Sequence, residues 1–163
     1  MEIVQMNRAQ AEEYINWHYE TPYDFYTIPE KGIKETYEEI YNDPYKNYYS
    51  VLKDRSLFGI FEYDCSNPRE LEIGLGICPQ ETGKGNGKEF VANCVAFGRK
   101  VFNYQGDIFL DVASFNQRAI HLYKQLGFFE TGRLTRLSYG KLVTFIKMKV
   151  NASDCNFDLT YCI

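Results

Sequence analysis

The sequence lacks the cysteine spacing that supports a metal centre or a disulfide framework. It has five cysteines, an odd number, and no two of them stand in a C-x-x-C arrangement. A zinc site or a set of disulfides is therefore not expected, and free thiols in a reducing cytosol fit this pattern best. No apolar run reaches transmembrane length, and the N-terminus has no apolar stretch typical of a secretory signal. Together these absences predict a cytoplasmic protein without a metal and without a membrane partner.

An excess of basic residues is also missing. The chain has 18 Lys and Arg against 22 Asp and Glu, a formal net charge of -4. This balance argues against generic nucleic-acid binding, which needs a basic footprint, and it weakly favours a cationic acceptor through electrostatic steering. The 163 residues favour a single domain. We expect that domain over residues 1–150, followed by a C-terminal tail or short docking arm over residues 151–163.

The residues that are present alternate between strand and helix patterns. Asn7 and Gln10 form a capping-box variant at the start of a first helix, and Pro22 breaks an aromatic loop over residues 19–26. The pattern predicts strands at 3–6, 48–53, 56–63, 71–77, 108–112, 128–136 and 142–150, and helices at 7–17, 33–41, 87–102 and 116–126. This order indicates a mixed α/β (α+β) domain.

The most informative stretch is a glycine-rich loop between a strand and a helix. Gly83, Gly85 and Gly87 follow the strand at 71–77 and precede an amphipathic helix. Glycine lets the backbone adopt positive φ and approach a ligand closely, and the first turn of a helix presents free N–H groups to an anion. Lys84 and Lys88 add positive charge nearby. The loop is therefore predicted to bind phosphate groups.

Two common phosphate-binding motifs do not fit this loop. A Walker loop requires Ser or Thr after Gly-Lys, but Glu89 follows Gly87-Lys88, and Thr82 stands where the first glycine should be. A dinucleotide fingerprint needs G-x-G-x-x-G. Lys88 and Phe90 occupy the last position in its two registers.

The segment from Thr82 to Gly87, T-G-K-G-N-G, resembles the Q/R-x-x-G-x-G/A pyrophosphate loop of the GNAT superfamily of N-acetyltransferases, with Thr82 in place of Gln or Arg. A register that starts at Gln80 also fits, and we prefer Thr82 because Pro79 then keeps the family's usual distance from the loop. Downstream, the segment from Asn116 to Phe128 resembles the family's N-x-R-A-I-x-L-Y-x-K-x-G-F pattern, with Gln125 in place of the frequent basic residue. Two motifs in the right order are far more specific than either one alone.

The resemblance implies a mostly antiparallel central sheet with a splayed strand pair, flanked by helices, and acetyl-coenzyme A (acetyl-CoA) as co-substrate. It further implies direct transfer of acetyl to a primary amine, either a small amine or a peptide N-terminus. The oligomeric state stays open, with a homodimer as one option because family members are often dimers. The cofactor-binding positions carried over are Ile77, Cys78, Pro79, Thr82, Gly83, Lys84, Gly85, Asn86, Gly87, Lys88 and Asn116.

The resemblance assigns chemistry to three positions. The backbone N–H of Ile77 would polarise the thioester carbonyl, and Tyr123 would protonate the leaving thiolate. Glu72, on the glycine side of its strand, would relay the amine proton. Three of the residues carried over have a structural alternative: Tyr123 also fits the apolar face of its helix, Glu72 fits a solvated strand, and capping alone explains Asn116.

Several alternatives stay open. His18 and Tyr26 are further candidates for a base or an acceptor contact, whereas His121 is expected on the surface. Cys78 and Cys94 allow a covalent acyl-enzyme, although neither has a visible base partner.

The acceptor and the acyl chain are also undecided, and a protein N-terminus, a polyamine, an aminoglycoside and an amino acid all stay open as acceptors. The aromatic region at 17–29 is expected to shape the acceptor site, where ring faces can hold an ammonium group. A non-catalytic CoA-binding sensor and an enzyme for longer acyl chains are the remaining alternatives.

Overall fold

The structure, a computed structural model, describes residues 1–154. Within them a seven-stranded sheet carries four α-helices. The strands are β1 (Glu2–Gln5), β2 (Lys46–Lys53), β3 (Ser56–Asp64), β4 (Leu71–Ile77), β5 (Ile108–Ala113), β6 (Phe129–Ser138) and β7 (Lys141–Val150). The helices are α1 (Arg8–Ile15), α2 (Ile33–Asn42), α3 (Gly87–Val101) and α4 (Gln117–Gln125). Every predicted strand and helix is present, and the mixed, mostly antiparallel fold is confirmed.

Local sequence signals account for most element boundaries. The capping box at α1 forms as predicted, with reciprocal bonds between Asn7 and Gln10. The helix nevertheless ends at Ile15, short of the predicted residue 17, because Asn16 adopts the C-cap conformation. The β2–β3 hairpin turns at Asp54 and Arg55, both of which have positive φ, as a two-residue hairpin turn of type I′ demands.

The strand order in the sheet is β1-β2-β3-β4-β5-β7-β6. Neighbouring strands are antiparallel with one exception, the parallel pair β4–β5. That pair is joined only at Leu71↔Ile108 and Glu72↔Phe109. From residue 73 onward the two strands diverge, which confirms the predicted splayed pair and opens a gap in the middle of the sheet.

The main core lies between the sheet and α3. Phe61 of β3 is fully buried and packs against Phe90 and Phe97 of α3, with ring centroids 4.8 and 6.4 Å away. A second cluster around Trp17 and Ile60 covers the opposite face of the sheet. The two clusters pack on both faces of β3, the strand that pairs with β4 from Glu72 to Ile77.

The chain end lies only partly within the described residues. Ala152–Asp154 form a short 3₁₀ turn after the last strand, and residues 155–163 lie outside the described part, including Cys155 and Cys162. The division into a domain over residues 1–150 and a tail stays a prediction. Between residues 1 and 154, no helix is long and apolar enough to cross a membrane.

Candidate active site

A cavity of about 740 Å³ lies where β4 leaves β5. Its walls come from β3, β4, the glycine-rich loop, the first turn of α3, β5, α4 and a group of aromatic side chains near the N-terminus. Of the predicted site residues, those that line it are Ile77, Thr82, Gly83, Gly85, Asn86, Gly87, Lys88, Asn116 and Tyr123. The structure therefore brings both sequence motifs to one cavity.

The glycine-rich loop exposes its backbone to this cavity. Gly83 and Gly85 have φ of +76° and +83°, a region that residues with a side chain rarely adopt. A Cβ placed at Gly85 would meet no atom within 4 Å, so that backbone faces open space. The N-cap of α3, Asn86, makes no side-chain hydrogen bond to the helix. The first-turn N–H groups of α3 therefore remain available to an anion, and the loop fits a pyrophosphate group.

Three of the predicted cofactor contacts lie outside the cavity lining. Lys84 is ion-paired with Glu81 at 2.9 Å. Cys78 is buried, and its N–H donates to the carbonyl oxygen of Phe58 at 2.9 Å. Pro79 begins a short 3₁₀ turn, where its carbonyl oxygen accepts a bond from the Thr82 hydroxyl at 2.9 Å. These contacts stabilise the loop on the side that does not line the cavity.

The register of β3 and β4 decides where the Ile77 amide points. The bond from Cys78 N–H to Phe58 identifies those two residues as a hydrogen-bonded pair. Because such pairs alternate along antiparallel strands, the adjacent pair of Ile77 and Gly59 is not hydrogen-bonded. The N–H and C=O of Ile77 therefore point away from β3, into the gap beside β5. This orientation fits the role of Ile77 as a donor to a carbonyl oxygen.

Tyr123 reaches the cavity from α4 while also packing against the core. Its ring lies 5.8 Å from that of Phe128, and the side chain contacts the main hydrophobic cluster. Burial, with a smaller contribution from nearby Tyr26, raises the pKa of the Tyr123 hydroxyl well above its ordinary value. The hydroxyl thus keeps its proton at neutral pH, as a proton donor must.

Glu72 does not line the main cavity. It lies at the last position at which β4 pairs with β5, and its carboxylate is 3.7 Å from the Lys147 ammonium group. The carboxylate that does enter the cavity is Glu62, on the neighbouring strand β3. Glu62 lies opposite Gly74 of β4. A Cβ placed on Gly74 would lie 3.0 Å from a carboxylate oxygen of Glu62. Sequence inspection missed Glu62 because its position opposite Gly74 depends on the pairing of two strands.

Glu62 belongs to a charged cluster of three side chains. Lys46 of β2 lies 3.1 Å from Glu62 and 3.1 Å from Glu39 of α2. Burial raises the pKa of the Glu62 carboxyl, and the adjacent Lys46 opposes that shift without cancelling it. Glu62 therefore has a higher proton affinity than an exposed glutamate while it remains open to the cavity.

Other cavity residues also escaped the sequence analysis. Arg118 of α4 lies 3.9 Å from where a Gly83 Cβ would be, and its guanidinium stacks on the Tyr23 ring at 4.4 Å. It is the Arg of the second motif, so that motif was the signal that could have found it. Asn116 does cap α4, accepting from the Ala119 N–H at 3.1 Å.

A second cavity of about 260 Å³ continues from the first along the sheet. The two share Glu62, Ile73, Gly74 and Asp111. Its charged lining consists of Lys46, Glu62, Asp64, Glu72, Asp111 and Arg136. Lys46 is paired with Glu62 at 3.1 Å and Arg136 with Asp111 at 3.0 Å. The four acidic groups outnumber the two basic ones, so this lining keeps a net negative charge, which favours a cation.

The alternative site residues are placed differently. Cys94 is fully buried in the core, and burial raises the pKa of its thiol to about 12; burial also raises the pKa of Cys78. Neither thiol is arranged as a nucleophile. His18 is exposed and outside the cavity lining. His121 is exposed as expected, at the cavity rim. No cluster of three or more His, Cys, Asp or Glu in residues 1–154 has the arrangement of a metal site.

Comparison with known proteins gives consistent matches. The family model described as the acetyltransferase (GNAT) family matches residues 10–128. Spermidine N(1)-acetyltransferase from Vibrio cholerae serotype O1 is 27% identical over 124 residues, which cover 74% of this chain and 68% of that protein.

Solved structures from Vibrio cholerae share the fold. Spermidine N-acetyltransferase in complex with CoA and spermine superposes with a TM-score of 0.69 at 22% identity, covering 94% of this chain and 96% of that one. The spermidine/spermine N-acetyltransferase in complex with manganese ions gives 0.72 at 24% identity, covering 93% and 92%. The comparisons give no support to a non-catalytic sensor. The chain therefore belongs to the acetyltransferase (GNAT) family, which confirms the prediction of an acetyl-CoA-dependent enzyme that acetylates a primary amine.

Proposed function

We propose that the acceptor is a polyamine, and that the chain acetylates one of its primary amino groups. The observation that carries this proposal is the acidic cavity, which continues from the thioester end of the site and shares Glu62 with it. A polyamine that presents one amine to the reaction leaves further ammonium groups to be bound. Asp64 and Glu72 offer carboxylates for them, whereas Asp111 is ion-paired with Arg136 at 3.0 Å. The similarity to spermidine N(1)-acetyltransferase supports the same acceptor class.

On this proposal the glycine-rich loop holds acetyl-CoA. The backbone of residues 82–88 binds the pyrophosphate, and Lys88 and Arg118 line the cavity with positive charge. Lys84, Cys78 and Pro79 support the loop from outside the lining. Asn116 borders the pantetheine arm while it caps α4.

The chemistry follows from the groups around the gap. The acceptor first loses its ammonium proton to solvent, and the neutral nitrogen attacks the thioester carbonyl, whose developing negative charge is stabilised by the Ile77 N–H. The new C–N bond forms and the C–S bond breaks. The second proton of the nitrogen passes to the Glu62 carboxylate, and the Tyr123 hydroxyl donates its proton to the departing sulfur. Solvent then returns a proton to Tyr123 and takes one from Glu62.

Glu62 replaces Glu72 as the proposed proton acceptor for a geometric reason. Glu62 lines the cavity, whereas Glu72 lines only its acidic extension. On this arrangement Glu72 serves to bind a distant ammonium group.

Thiol release from acetyl-CoA with a matched set of acceptors tests the proposal. The set contains spermidine, 1,4-diaminobutane, 1-aminobutane and a peptide with a free N-terminus. We expect spermidine and the diamine to exceed the monoamine in kcat/KM by at least about tenfold, the value of one well-placed ion pair of about 1.4 kcal/mol. Equal kcat/KM values for the monoamine and the diamine would contradict a polyamine site. A higher kcat/KM for the peptide would show that a peptide N-terminus is the acceptor instead.

We further propose a homodimer, in which β6 lies at the interface. This strand is at the edge of the sheet, and Leu134, Leu137 and Leu142 of the β6–β7 hairpin are 56%, 70% and 74% exposed. Such a surface is apolar enough to favour association. Cytoplasmic location and the lack of nucleic-acid and membrane partners stay predictions.

A further inference from the structure

The loop over residues 19–27 contacts both sides of the gap between β4 and β5. On one side the Tyr19 hydroxyl donates a hydrogen bond to the Ile77 carbonyl oxygen at 2.8 Å. On the other side the Tyr26 hydroxyl accepts a bond from Asn116 Nδ2 at 2.9 Å. The two tyrosine rings meet edge to face, with centroids 6.4 Å apart. A continuous path of contacts therefore crosses the gap from the end of β4 to the start of α4.

The loop is braced by further contacts of its own. The Tyr19 N–H donates to Thr27 Oγ1 at 2.9 Å, which ties its two ends together. Phe25 packs against Phe115 at 5.5 Å and Phe145 at 6.1 Å, which anchors it to the β5 and β7 side. A loop held by contacts in this way couples the β4 side of the gap to the β5 side.

Backbone pairing between β4 and β5 does not set the width of the gap at Ile77. β4 and β5 have no backbone pairing beyond Glu72 and Phe109, five residues before Ile77. The N–H and C=O of Ile77 point to the same open edge, and Tyr19 holds the C=O. Ile77 is therefore held by its pairing with β3 on one side and by the Tyr19 hydroxyl on the side of the gap.

We infer that residues 19–27 form a strut that fixes the width of the gap at Ile77, so that Tyr19 and Tyr26 are positioning residues that set which acyl chain the site accepts. The inference rests on the proposed role of the Ile77 N–H.

The Tyr19 side chain forms part of the cavity wall beside Ile77. Around Gly76, the adjacent residue, a Cβ would lie 3.6 Å from the Tyr19 hydroxyl, 3.8 Å from Ile60 and 3.8 Å from Trp17. These are ordinary van der Waals distances, so one added carbon would be in contact with this wall. An acyl group longer than acetyl that extends toward the wall would press on Tyr19, and the bond to Ile77 opposes movement of that side chain.

The test compares acetyl-CoA with propionyl-CoA in wild type, Tyr19→Phe and Tyr26→Phe. Both substitutions keep the ring and remove only the hydroxyl. We expect wild type to favour acetyl-CoA in kcat/KM, and the acetyl-to-propionyl ratio to fall about fivefold in each variant, in keeping with the loss of one hydrogen bond. The ratio does not depend on how much of the enzyme is folded, so a general loss of stability would not change it. An unchanged ratio in both variants would overturn the inference.

Tyr45→Phe is the matched control, because its side chain is 54% exposed and lies outside the cavity lining. It should leave the ratio unchanged.

Hydrogen exchange provides a second measurement that needs no turnover. The amides of residues 75–78 should exchange faster in Tyr19→Phe than in wild type, and no faster in Tyr45→Phe. If wild type releases no thiol with any amine, the proposed function fails. The exchange rates of residues 75–78 still test whether residues 19–27 act as a strut. Identical exchange in Tyr19→Phe and wild type would overturn it.

Discussion

Glu62→Gln separates the chemistry of Glu62 from its contribution to the fold. The substitution keeps the shape of the side chain and removes its charge and its basicity. Lys46 retains a carboxylate partner, because Glu39 is also 3.1 Å away. The local packing should therefore survive, and the main change is the loss of a proton acceptor at the cavity.

The expected size of the effect follows from the position of Glu62. A well-placed general base contributes about 100- to 10,000-fold to rate. Because Glu62 shares its charge with Lys46, we expect the lower limit, a fall in kcat of about 100-fold, or about 2.7 kcal/mol in the barrier. The acidic limb of the pH–rate profile should also change, since the pKa of Glu62 is raised above that of an ordinary glutamate and the variant has no carboxyl there.

Glu62→Gln should lower kcat, but it should not lower the free energy of unfolding at neutral pH. Since the folded-state pKa of Glu62 is raised, the folded protein binds this proton more tightly than the unfolded chain does. The free energy of unfolding thus falls as pH rises from the unfolded-state pKa through the folded-state pKa. At neutral pH Glu62→Gln should be at least as stable as wild type, and the difference should vanish at a pH below the ordinary glutamate pKa.

Thiol-release kinetics with spermidine and urea unfolding at two pH values measure both effects. Glu72→Gln is the matched control, one strand away and outside the main cavity, and it should lower affinity for spermidine more than it lowers kcat. Near wild-type kcat in Glu62→Gln would refute the assignment. A large loss of stability in that variant at neutral pH would show that Glu62 is structural.

Four further substitutions probe the acid, the loop, the core and the dimer interface. Tyr123→Phe should lower kcat about 100-fold without changing the Kd for CoA measured by calorimetry; weaker CoA binding instead would assign the ring to packing. Gly85→Val should weaken CoA binding about tenfold or more, because φ of +83° is strained for a branched residue, whereas Gly132→Ala, where a Cβ meets nothing within 4 Å, should bind normally. Phe61→Ala should lower the free energy of unfolding by about 3–5 kcal/mol in urea titrations, since the ring is fully buried; a smaller loss would contradict the proposed core. Leu137→Glu should shift the mass in light scattering from dimer to monomer, and an unchanged mass would exclude β6 from the interface.

The local features of this protein could be predicted from the sequence because they depend on residues close together in the chain. The capping box at Asn7 and the alternation along β4 need only a few neighbouring residues to be recognised. The loop from Thr82 to Gly87 is equally local, since positive φ at Gly83 and Gly85 is a property of glycine itself. These signals were sufficient to indicate the fold and the acetyltransferase family.

The tertiary structure alone decided which groups face one another across the sheet. Glu62 and Glu72 are both carboxylates on strands, and only the register of β3 against β4 places Glu62 opposite Gly74 at the cavity. Tyr19 lies 58 positions from the Ile77 carbonyl that it holds. Such contacts depend on strand pairing and packing between distant segments, and no local pattern of residue types specifies them.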